Sequence, residues 1–305
     1  MRILLQFPEG LKQEALKHAE KYEREGHEVY LSASPCYGAC DIALEEARTV
    51  GADKIVHFGH AKFVRKDVGI PVEYVEYVLD FSTDSLKSVL PHLKNFKSVA
   101  IGTTVQYAHK LKAIKDFFGK NGKKVFTGKG TMALHEGQIL GCDAHAVTQF
   151  ENKADAILFI GDGQFHYLAI DAKDTKKPVF VFHPKSGKTE KINQEIERLR
   201  KRRRGAIIKA VDARTFGIVI STKVGQFNMG MAEWAKKGLA KRGKKSALLV
   251  ANEIEPLSLN NFMTFDCYII TACPRIADDL EEFGKPVLSL EMLKELFGIL
   301  DSMKG

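Results

Sequence analysis

Residues 40–63 read CDIALEEARTVGADKIVHFGHAKF, and residues 142–165 read CDAHAVTQFENKADAILFIGDGQF. When Cys40 is placed on Cys142, the two stretches align without a gap and several identical residues coincide. The coinciding pairs are Asp41 with Asp143, Ala52 with Ala154, Asp53 with Asp155, Ile55 with Ile157, Gly59 with Gly161 and Phe63 with Phe165. A gapless run of matches at one offset indicates that a structural unit is repeated within the chain.

A third and weaker copy lies around Asp266. When Asp266 is placed on Asp53, the segment FDCYIITACPR takes the place of the apolar run KIVHFGH. Cys273 then stands at the position of His60 and of Asp162, one strand further along than the other two cysteines. The third copy is therefore expected to present its cysteine from a different loop.

Apolar runs of strand length alternate with helix-length segments along the chain. The runs that open the three copies are RILLQF at 2–7, SVAIG at 98–102 and FGIVIS at 216–221. Continuous β-branched runs without strict alternation predict parallel strands buried on both faces. The sequence thus predicts an α/β protein of three pseudo-repeated small domains, each a parallel sheet flanked by helices, around a central metal site. The predicted domains are 1–95 with Cys40, 96–205 with Cys142 and a basic linker helix, and 206–305 with Cys273.

The composition is that of an ordinary globular protein, with 45% hydrophobic and 28% charged residues. No apolar stretch approaches the roughly 20 residues of a membrane span, and MRILLQFPEG lacks a signal-peptide pattern, so no membrane partner is expected. Five cysteines favour a reducing cytoplasm and thiolates as metal ligands, although Cys36 and Cys267 are interpreted as packing residues. The net charge of +8 suits an acidic partner. Most lysines fit solvated helix faces, so nucleic acid is not favoured.

The cysteines of the three copies indicate one metal centre. Cys40 and Cys142 each stand at a predicted loop-to-helix junction, where the helix dipole and backbone N–H groups favour a thiolate. Cys273 follows a predicted strand, and ligands of α/β sheets gather at the carboxyl ends of strands. Three thiolates suit a 4Fe–4S cluster with one open iron, with Cys36 as an alternative fourth ligand. Zinc with His145 as the fourth ligand fits equally well, and spacing does not separate these metals.

A second motif, STKVGQ at 221–226, follows the run FGIVIS and is expected to open a helix. Backbone N–H groups of small residues at such a turn bind a carboxylate or phosphate, although an ordinary loop is the alternative. The candidate binding residues are Ser221, Lys223, Gly225 and Gln226. Arg275, beside Cys273, is a further candidate for binding a carboxylate. An ion pair with Asp278 or Asp279 is the alternative for Arg275.

A third motif, GDGQFH at 161–166, ends the apolar run AILFI. Two glycines around Asp162 indicate close approach of the backbone to another group. Asp162, Gly163 and His166 are candidates for binding a small substrate, with a structural histidine as the alternative. The sequence lacks a P-loop, a GxGxxG after a strand, HExxH and CxxC, which argues against a dinucleotide cofactor.

Five motifs stand in a fixed order, and they are PCYGACD, GQ-x-LGC at 137–142, GDG-x-FH, S-x-K-x-GQ and ACPR. In this order they resemble the archaeal diphthamide-synthesis enzymes, a noncanonical radical S-adenosylmethionine family. The resemblance runs from FPEGLK to beyond ACPR. Two positions depart from the family pattern, because Ser34 stands where an aspartate is expected and Tyr167 where a proline is expected.

The resemblance implies three similar α/β domains that each donate one cysteine, here Cys40, Cys142 and Cys273, to a 4Fe–4S cluster. It implies that S-adenosylmethionine binds at the open iron as cosubstrate and that an electron donor reduces the cluster. STKVGQ and Arg275 are then candidates for holding the methionine carboxylate, with Lys223 and Gln226 as donors. The bond from sulfur to the γ-carbon then breaks, and the 3-amino-3-carboxypropyl group adds to a histidine ring carbon of elongation factor 2. A transferase, a homodimer and a cytoplasmic location are implied as well.

Two other functions fit parts of the pattern. An enzyme like quinolinate synthase, a dehydrating condensation enzyme, also joins three similar domains around a cluster held by three cysteines. However, the ACPR and GDG-x-FH motifs find no match there in this arrangement. A basic RNA-binding protein with a structural zinc is the second alternative, since it fits the charge and the cysteines.

Overall fold

The computed structural model describes residues 1–173, 175–278 and 283–303. The strands of the first sheet are β1 (Arg2–Gln6), β2 (Glu28–Leu31), β3 (Lys54–Phe58) and β4 (Val72–Val75). They are parallel and lie in the order β2-β1-β3-β4. The helices of this region are α1 (Ala15–Arg24) and α2 (Leu44–Thr49), with a 3-10 helix at Glu9–Glu14. The apolar side chains of β1 and β3 form the core of this sheet together with Ala19 of α1.

The second sheet contains β5 (Ser98–Thr103), β6 (Lys124–Phe126), β7 (Ala156–Ile160), β8 (Val179–His183) and β9 (Lys188–Lys191). Their order is β6-β5-β7-β8-β9, and only the β8–β9 pair is antiparallel. The helices are α3 (Val105–Ala108), α4 (Leu111–Lys120), α5 (His145–Thr148) and α6 (Gln164–Tyr167), with 3-10 helices at Thr83–Val89 and Leu168–Lys173. Both faces of β7 are buried, as its continuous apolar run predicts.

The third sheet contains β10 (Thr215–Ser221), β11 (Lys245–Ala251), β12 (Cys267–Ile270) and β13 (Val287–Leu288). These strands are parallel in the order β11-β10-β12-β13. The helices are α7 (Asn193–Val211), α8 (Met229–Lys241), α9 (Pro256–Asn260) and α10 (Leu290–Ser302), with a 3-10 helix at Pro274–Asp278. Among the described residues, no helix combines the length and the apolar character that a membrane span requires.

The three sheets repeat one strand order, in which the opening strand lies between the second strand and the third. This confirms the predicted fold class of three mostly parallel sheets with flanking helices. The chain divides into two compact units, of which Met1–Asn193 contains the first two sheets and Gln194–Gly305 contains the third. The domain boundaries near residues 95 and 205 remain a prediction.

The three aspartates that the repeat aligns have the same structural role. Each stands just before the third strand of its copy, and its carboxylate accepts a backbone N–H at the start of the opening strand. The contacts are Arg2 N to Asp53 Oδ2 at 2.8 Å, Ser98 N to Asp155 Oδ2 at 2.9 Å and Thr215 N to Asp266 Oδ2 at 2.9 Å. The matched residues of the sequence therefore occupy equivalent places in the fold.

The central strand pair of each sheet also has an equivalent register, but its residues differ in character. The equivalent pairs are Gln6 with His57 in the first sheet, Gly102 with Phe159 in the second and Val219 with Ile270 in the third. All six residues lie in strands at the centre of their sheets. Only the first sheet places two polar side chains at this position.

Candidate metal centre

Cys40 and Cys142 stand at the same place in two equivalent backbone turns. The hydrogen bonds that close these turns are Asp41 N to Gly38 O at 2.9 Å and Asp143 N to Leu140 O at 3.1 Å. Each cysteine is the third residue of its turn, and each turn precedes a short helix, α2 or α5. Cys40 is half-buried and Cys142 is exposed. The repeat therefore gives both thiols the same local backbone frame.

The aspartate after each cysteine anchors its turn. Asp41 accepts the backbone N–H of Tyr37 at 3.3 Å, whereas Asp143 accepts several N–H groups. The donors to Asp143 are the backbone N–H groups of Met132 at 2.6 Å, Ala133 at 3.4 Å and His145 at 2.9 Å. Both aspartates are buried, so these hydrogen bonds replace the solvent that a carboxylate otherwise requires. In both copies, the aspartate thus holds in place the turn that carries the preceding cysteine.

The GDGQFH motif borders the turn that carries Cys142. A Cβ atom built on Gly141 would overlap the ring of Phe165, so glycine lets this aromatic side chain lie directly against the turn. The ring of Phe165 also contacts His166 edge to face, with 5.4 Å between their centroids. Phe165 is therefore a neighbour of the candidate ligand loop, a role that its match with Phe63 in the sequence does not reveal, because aromatic residues usually indicate core packing.

Asp162, at the centre of the GDG loop, is held by two side chains from elsewhere in the second sheet. The hydroxyl of Tyr107 donates to Asp162 Oδ2 at 3.1 Å, and His183 Nδ1 lies 3.7 Å from Asp162 Oδ1. Burial, followed by the charge of Asp162, raises the pKa of Tyr107. Gly163 has a φ of 88°, in the left-handed region that glycine favours. Neither Tyr107 nor His183 carries a motif signal in the sequence.

The histidines of the HFGH segment lie at the end of β3, in the first sheet. His57 is fully buried, and its Nε2 lies 3.0 Å from Nδ1 of the half-buried His60. Burial lowers the pKa of His57 to about 3 and that of His60 to about 4. Both imidazoles are therefore neutral near pH 7, because the folded protein disfavours the charged form.

Cys273 lies in the second compact unit, directly before the 3-10 helix Pro274–Asp278. It is half-buried. Its carbonyl accepts the N–H of Ile276 at 3.2 Å, so Cys273 opens its turn and does not stand third in it. This local geometry differs from that of the other two cysteines, in line with the different loop that the sequence alignment predicts.

Arg275 forms an ion pair with the buried carboxylate of Asp278, at 2.6 Å. Arg203 of α7 binds the same carboxylate through two nitrogens, at 2.7 and 3.0 Å. Asp278 is thus one of the two alternatives that the sequence allowed for Arg275, while Asp279 lies outside the described residues. The contribution of Arg203 was missed, because its basic run is typical of a solvated helix end.

The STKVGQ turn is placed at the end of β10, but it does not open a helix directly. The helix α8 begins at Met229 and is capped by the side chain of Asn228, which accepts the N–H of Met231 at 3.1 Å. The helical start was expected at STKVGQ; instead, a hydrogen-bonded turn intervenes, in which Lys223 O accepts the N–H of Gln226 at 2.9 Å. The anion-binding N–H groups of a helix start therefore lie further along the chain than predicted.

Within this turn, Ser221 and Lys223 are buried, while Gly225 and Gln226 are half-buried. The Ser221 hydroxyl accepts the N–H of Lys223 at 3.1 Å. Lys223 Nζ lies 2.8 Å from Glu253 Oε1. The turn therefore presents a lysine already paired with a carboxylate, and Glu253 is a neighbour that the sequence motif does not reveal.

Cys267 differs from the three candidate ligands. It is fully buried within β12, and this burial raises the pKa of its thiol. A packing role was predicted for Cys267, and its place in the core of the third sheet confirms it. Cys36 is buried as well, but its neighbours are the two imidazoles of His57 and His60.

Comparison with known proteins identifies relatives over nearly the whole chain. A family model described as "Putative diphthamide synthesis protein" matches residues 7–301. A protein from Pyrococcus horikoshii named 2-(3-amino-3-carboxypropyl)histidine synthase is 35% identical over 302 residues, which are 98% of this chain and 86% of that protein. A protein of the same name from Methanocaldococcus jannaschii is 32% identical, over 96% of this chain and 83% of that protein.

A solved structure agrees with these sequence matches. The crystal structure of Dph2 from Pyrococcus horikoshii with a 4Fe–4S cluster superimposes with a TM-score of 0.89. The two sequences are 34% identical, and the match covers 98% of this chain and 86% of that one. Fold and sequence therefore point to the same relatives.

Proposed function

The chain belongs to the family of diphthamide synthesis proteins, and from that premise we propose that it is a 3-amino-3-carboxypropyl transferase. Its substrates in this proposal are S-adenosylmethionine and a histidine ring carbon of elongation factor 2. The relatives carry the name of a 2-(3-amino-3-carboxypropyl)histidine synthase. Family membership favours this function over the condensation enzyme and the RNA-binding protein that the sequence alone also allowed.

The observation that carries the proposal is the equivalence of the turns around Cys40 and Cys142. Two thiols on one repeated turn, together with Cys273 after the third sheet, give three sulfur donors of the kind that hold a 4Fe–4S cluster. These three lie in loops, whereas Cys267 is enclosed in a strand. The donor chemistry thus fits the cluster, and we assign Cys40, Cys142 and Cys273 as its ligands.

Cys40, Cys142 and Cys273 would hold such a cluster, and after reduction by an electron donor it would supply the electron for cleavage of the bond from the sulfonium sulfur to the γ-carbon of S-adenosylmethionine. The remaining roles belong to the protein. Asp41 and Asp143 hold the ligand turns in place, because their buried carboxylates bind the backbone of those turns. The ring of Phe165 covers Gly141 beside Cys142 and helps exclude water from a reactive group.

The STKVGQ turn is the candidate site for the methionine part of the cosubstrate. That part carries a carboxylate and an ammonium group, and the paired Lys223 and Glu253 present the two opposite charges. Ser221, Gly225 and Gln226 line the same turn. Lys223→Met and Glu253→Gln are expected to weaken S-adenosylmethionine binding, measured by calorimetry, without lowering the iron content. Unchanged affinity in both variants would remove this turn from the site.

Arg275 remains a candidate for the cosubstrate carboxylate, although its guanidinium already pairs with Asp278, which Arg203 binds as well. Asp162, Gly163 and His166 remain candidates at the GDG loop, where Tyr107 fixes the direction of the Asp162 carboxylate. A homodimer in the cytoplasm, acting with an electron donor, completes the proposal. The net charge of +8 suits an acidic protein partner.

One experiment tests the reaction. The protein is reconstituted with iron and sulfide under anaerobic conditions, reduced with dithionite, and incubated with elongation factor 2 and S-adenosylmethionine labelled in the methionine chain. Mass spectrometry of the elongation factor is expected to find the 3-amino-3-carboxypropyl group on a histidine. Transfer of a methyl or adenosyl group, or no transfer at all, would contradict the proposal.

A further inference from the structure

Cys36, His57 and His60 form a cluster of possible metal ligands apart from the three cysteines discussed above. One ligand atom from each residue lies within 4.8 Å of the ligand atoms of the other two. Cys36 lies in the loop before the turn of Cys40. His57 is the last but one residue of β3, and His60 follows that strand. Cys36 and His57 are buried, and His60 is half-buried. A sulfur atom and two imidazole rings thus lie close together near the carboxyl end of β3.

Hydrogen bonds orient one of these imidazoles as a ligand. The Gln6 amide Nε2 donates to the carbonyl of Asp41 at 2.8 Å, which leaves Gln6 Oε1 as an acceptor. This oxygen accepts the N–H of Ala43 at 3.1 Å and lies 2.9 Å from His57 Nδ1. His57 Nδ1 therefore carries the proton, and the lone pair of Nε2 faces His60. A histidine whose outer nitrogen donates to a fixed oxygen is the usual arrangement at metal sites.

The other two sheets show that the fold does not require polar side chains here. The register position of Gln6 and His57 holds Gly102 and Phe159 in the second sheet. In the third sheet it holds an apolar pair as well. A buried polar side chain lowers stability unless hydrogen bonds or a ligand compensate for the loss of solvent. The first sheet thus departs from its copies at the place where sulfur and nitrogen donors meet.

We propose that Cys36, His57 and His60 bind one Zn²⁺ ion, at a site separate from the proposed cluster ligands. A thiolate and two imidazoles are donors that zinc prefers, and three protein ligands leave its fourth position for water. On binding, the Cys36 thiol releases its proton to solvent. The ion replaces the hydrogen bond between the two imidazoles, and His60 shifts its ring proton from Nδ1 to Nε2 through solvent, so that both facing nitrogens offer a lone pair. No electron transfer is needed, since zinc is redox-inactive.

The site has a structural consequence for the loop that carries Cys40. Cys36 Sγ lies 4.0 Å from the carbonyl of Asp41, which is also the carbonyl that Gln6 binds. A zinc ion would tie this loop to the end of β3 through bonds much stronger than that contact. In the second copy, the backbone N–H groups of Met132, Ala133 and His145 bind Asp143 at the corresponding turn.

The test uses a full-length variant that lacks the proposed cluster ligands, with Cys40, Cys142 and Cys273 replaced by serine. After treatment with a chelator, this protein is dialysed against Zn²⁺ and its zinc content is measured by mass spectrometry. About one zinc per chain is expected, as in other single zinc sites. Replacement of Zn²⁺ by Co²⁺ is expected to give the charge-transfer absorbance of a thiolate ligand.

Two further substitutions in this background locate the site. Cys36→Ser and His60→Gln are each expected to weaken zinc binding by more than the roughly 10–100-fold that loss of an outer hydrogen-bond partner causes. Two matched controls are Cys267→Ala, in the core of the third sheet, and His18→Gln, on α1. Neither control is expected to change zinc affinity, and circular dichroism checks that each variant folds.

Three results would overturn the proposal. They are a folded triple variant that binds no zinc, zinc binding that survives Cys36→Ser and His60→Gln, and loss of iron without loss of zinc from the wild-type protein on Cys36→Ser. If the triple variant does not fold, iron and zinc are counted in the wild-type protein instead. Cys36→Ser must then remove the zinc. Because the readout is metal content, it is independent of whether the proposed transfer reaction occurs.

Discussion

The first and second sheets present a cysteine on the same turn but support that turn differently. In the first sheet, the side chain of Gln6 binds the backbone on both sides of Ile42, at Asp41 and Ala43. In the second sheet, the equivalent position is Gly102, and a Cβ there would overlap the side chain of Ile139. At this strand position the first copy binds its turn through hydrogen bonds, whereas the second copy packs closely against the apolar side chain of Ile139. The two copies therefore share the backbone turn around the cysteine, but different side chains stabilise that turn.

The largest expected effect would show whether the two turns are functionally equivalent. Cys40→Ala and Cys142→Ala should each remove most of the iron from the reconstituted protein, because two thiolates do not hold a cubane cluster securely. Cys273→Ala should have the same effect. Iron and sulfide analysis measures the result, with Cys267→Ala as the control that keeps its iron. If only one of the first two variants lost iron, the equivalence of the two copies would be limited to the backbone.

A second test breaks the polar support of the first turn. Gln6→Val introduces the residue of the third sheet and removes the hydrogen bonds to Asp41 and Ala43. It should lower the free energy of unfolding by about 3 kcal/mol, because buried backbone groups lose their partners. His57→Phe introduces the residue of the second sheet and removes the hydrogen bonds of His57 with Gln6 and with His60, so it should cost about 2 kcal/mol.

Urea unfolding of both variants measures this difference. Equal stability of Gln6→Val and His57→Phe would mean that Gln6 does not support the turn. The variant His57→Phe should also lose the zinc proposed above, since it removes a ligand without removing Gln6. Urea unfolding thus reports on the stability of the turn, and zinc content reports on metal binding.

A third test concerns the contact between the turn of the second copy and the ring of Phe165. Gly141 of the second turn aligns with Ala39 of the first, so the first copy accommodates a Cβ where the second has none. Gly141→Ala would force the ring of Phe165 to move, and it should lower stability by about 2 kcal/mol, as overpacking usually does. The double variant Gly141→Ala/Phe165→Ala should recover part of this loss. Thermal unfolding that is unchanged in Gly141→Ala would show that Phe165 does not rest on the turn.

The sequence predicts the shared features of the copies better than the differences. Continuous apolar runs and the aligned aspartates predict three parallel sheets, since both depend on local pattern. The pairs Lys223–Glu253 and Arg203–Asp278 were missed, because each joins residues that only the folded chain brings together. The same holds for the cluster of Cys36 with two histidines. Its one visible signal is a polar residue at a strand position that is apolar in the other copies.

The smallest expected effect concerns the aspartates that all three copies share. Asp155 accepts hydrogen bonds from Ser98 and from the N–H of Lys97, and these bonds lower the pKa of its carboxyl. A lowered pKa in the folded state means that the ionised carboxylate stabilises the protein above the unfolded pKa, near 3.8. This contribution is lost as the pH falls through the folded pKa.

Asp155→Asn should therefore be less stable than the wild-type protein at neutral pH, and the difference should shrink as the pH falls below about 4. The effect should be modest, because Asp155 is exposed at the edge of its strand pair. Urea unfolding at several pH values measures it. Asp53→Asn is the matched variant in the first copy, where the carboxylate accepts the N–H of Arg2. If Asp155→Asn left stability unchanged at neutral pH, the aligned aspartates would reflect common ancestry of the copies rather than a continuing structural role.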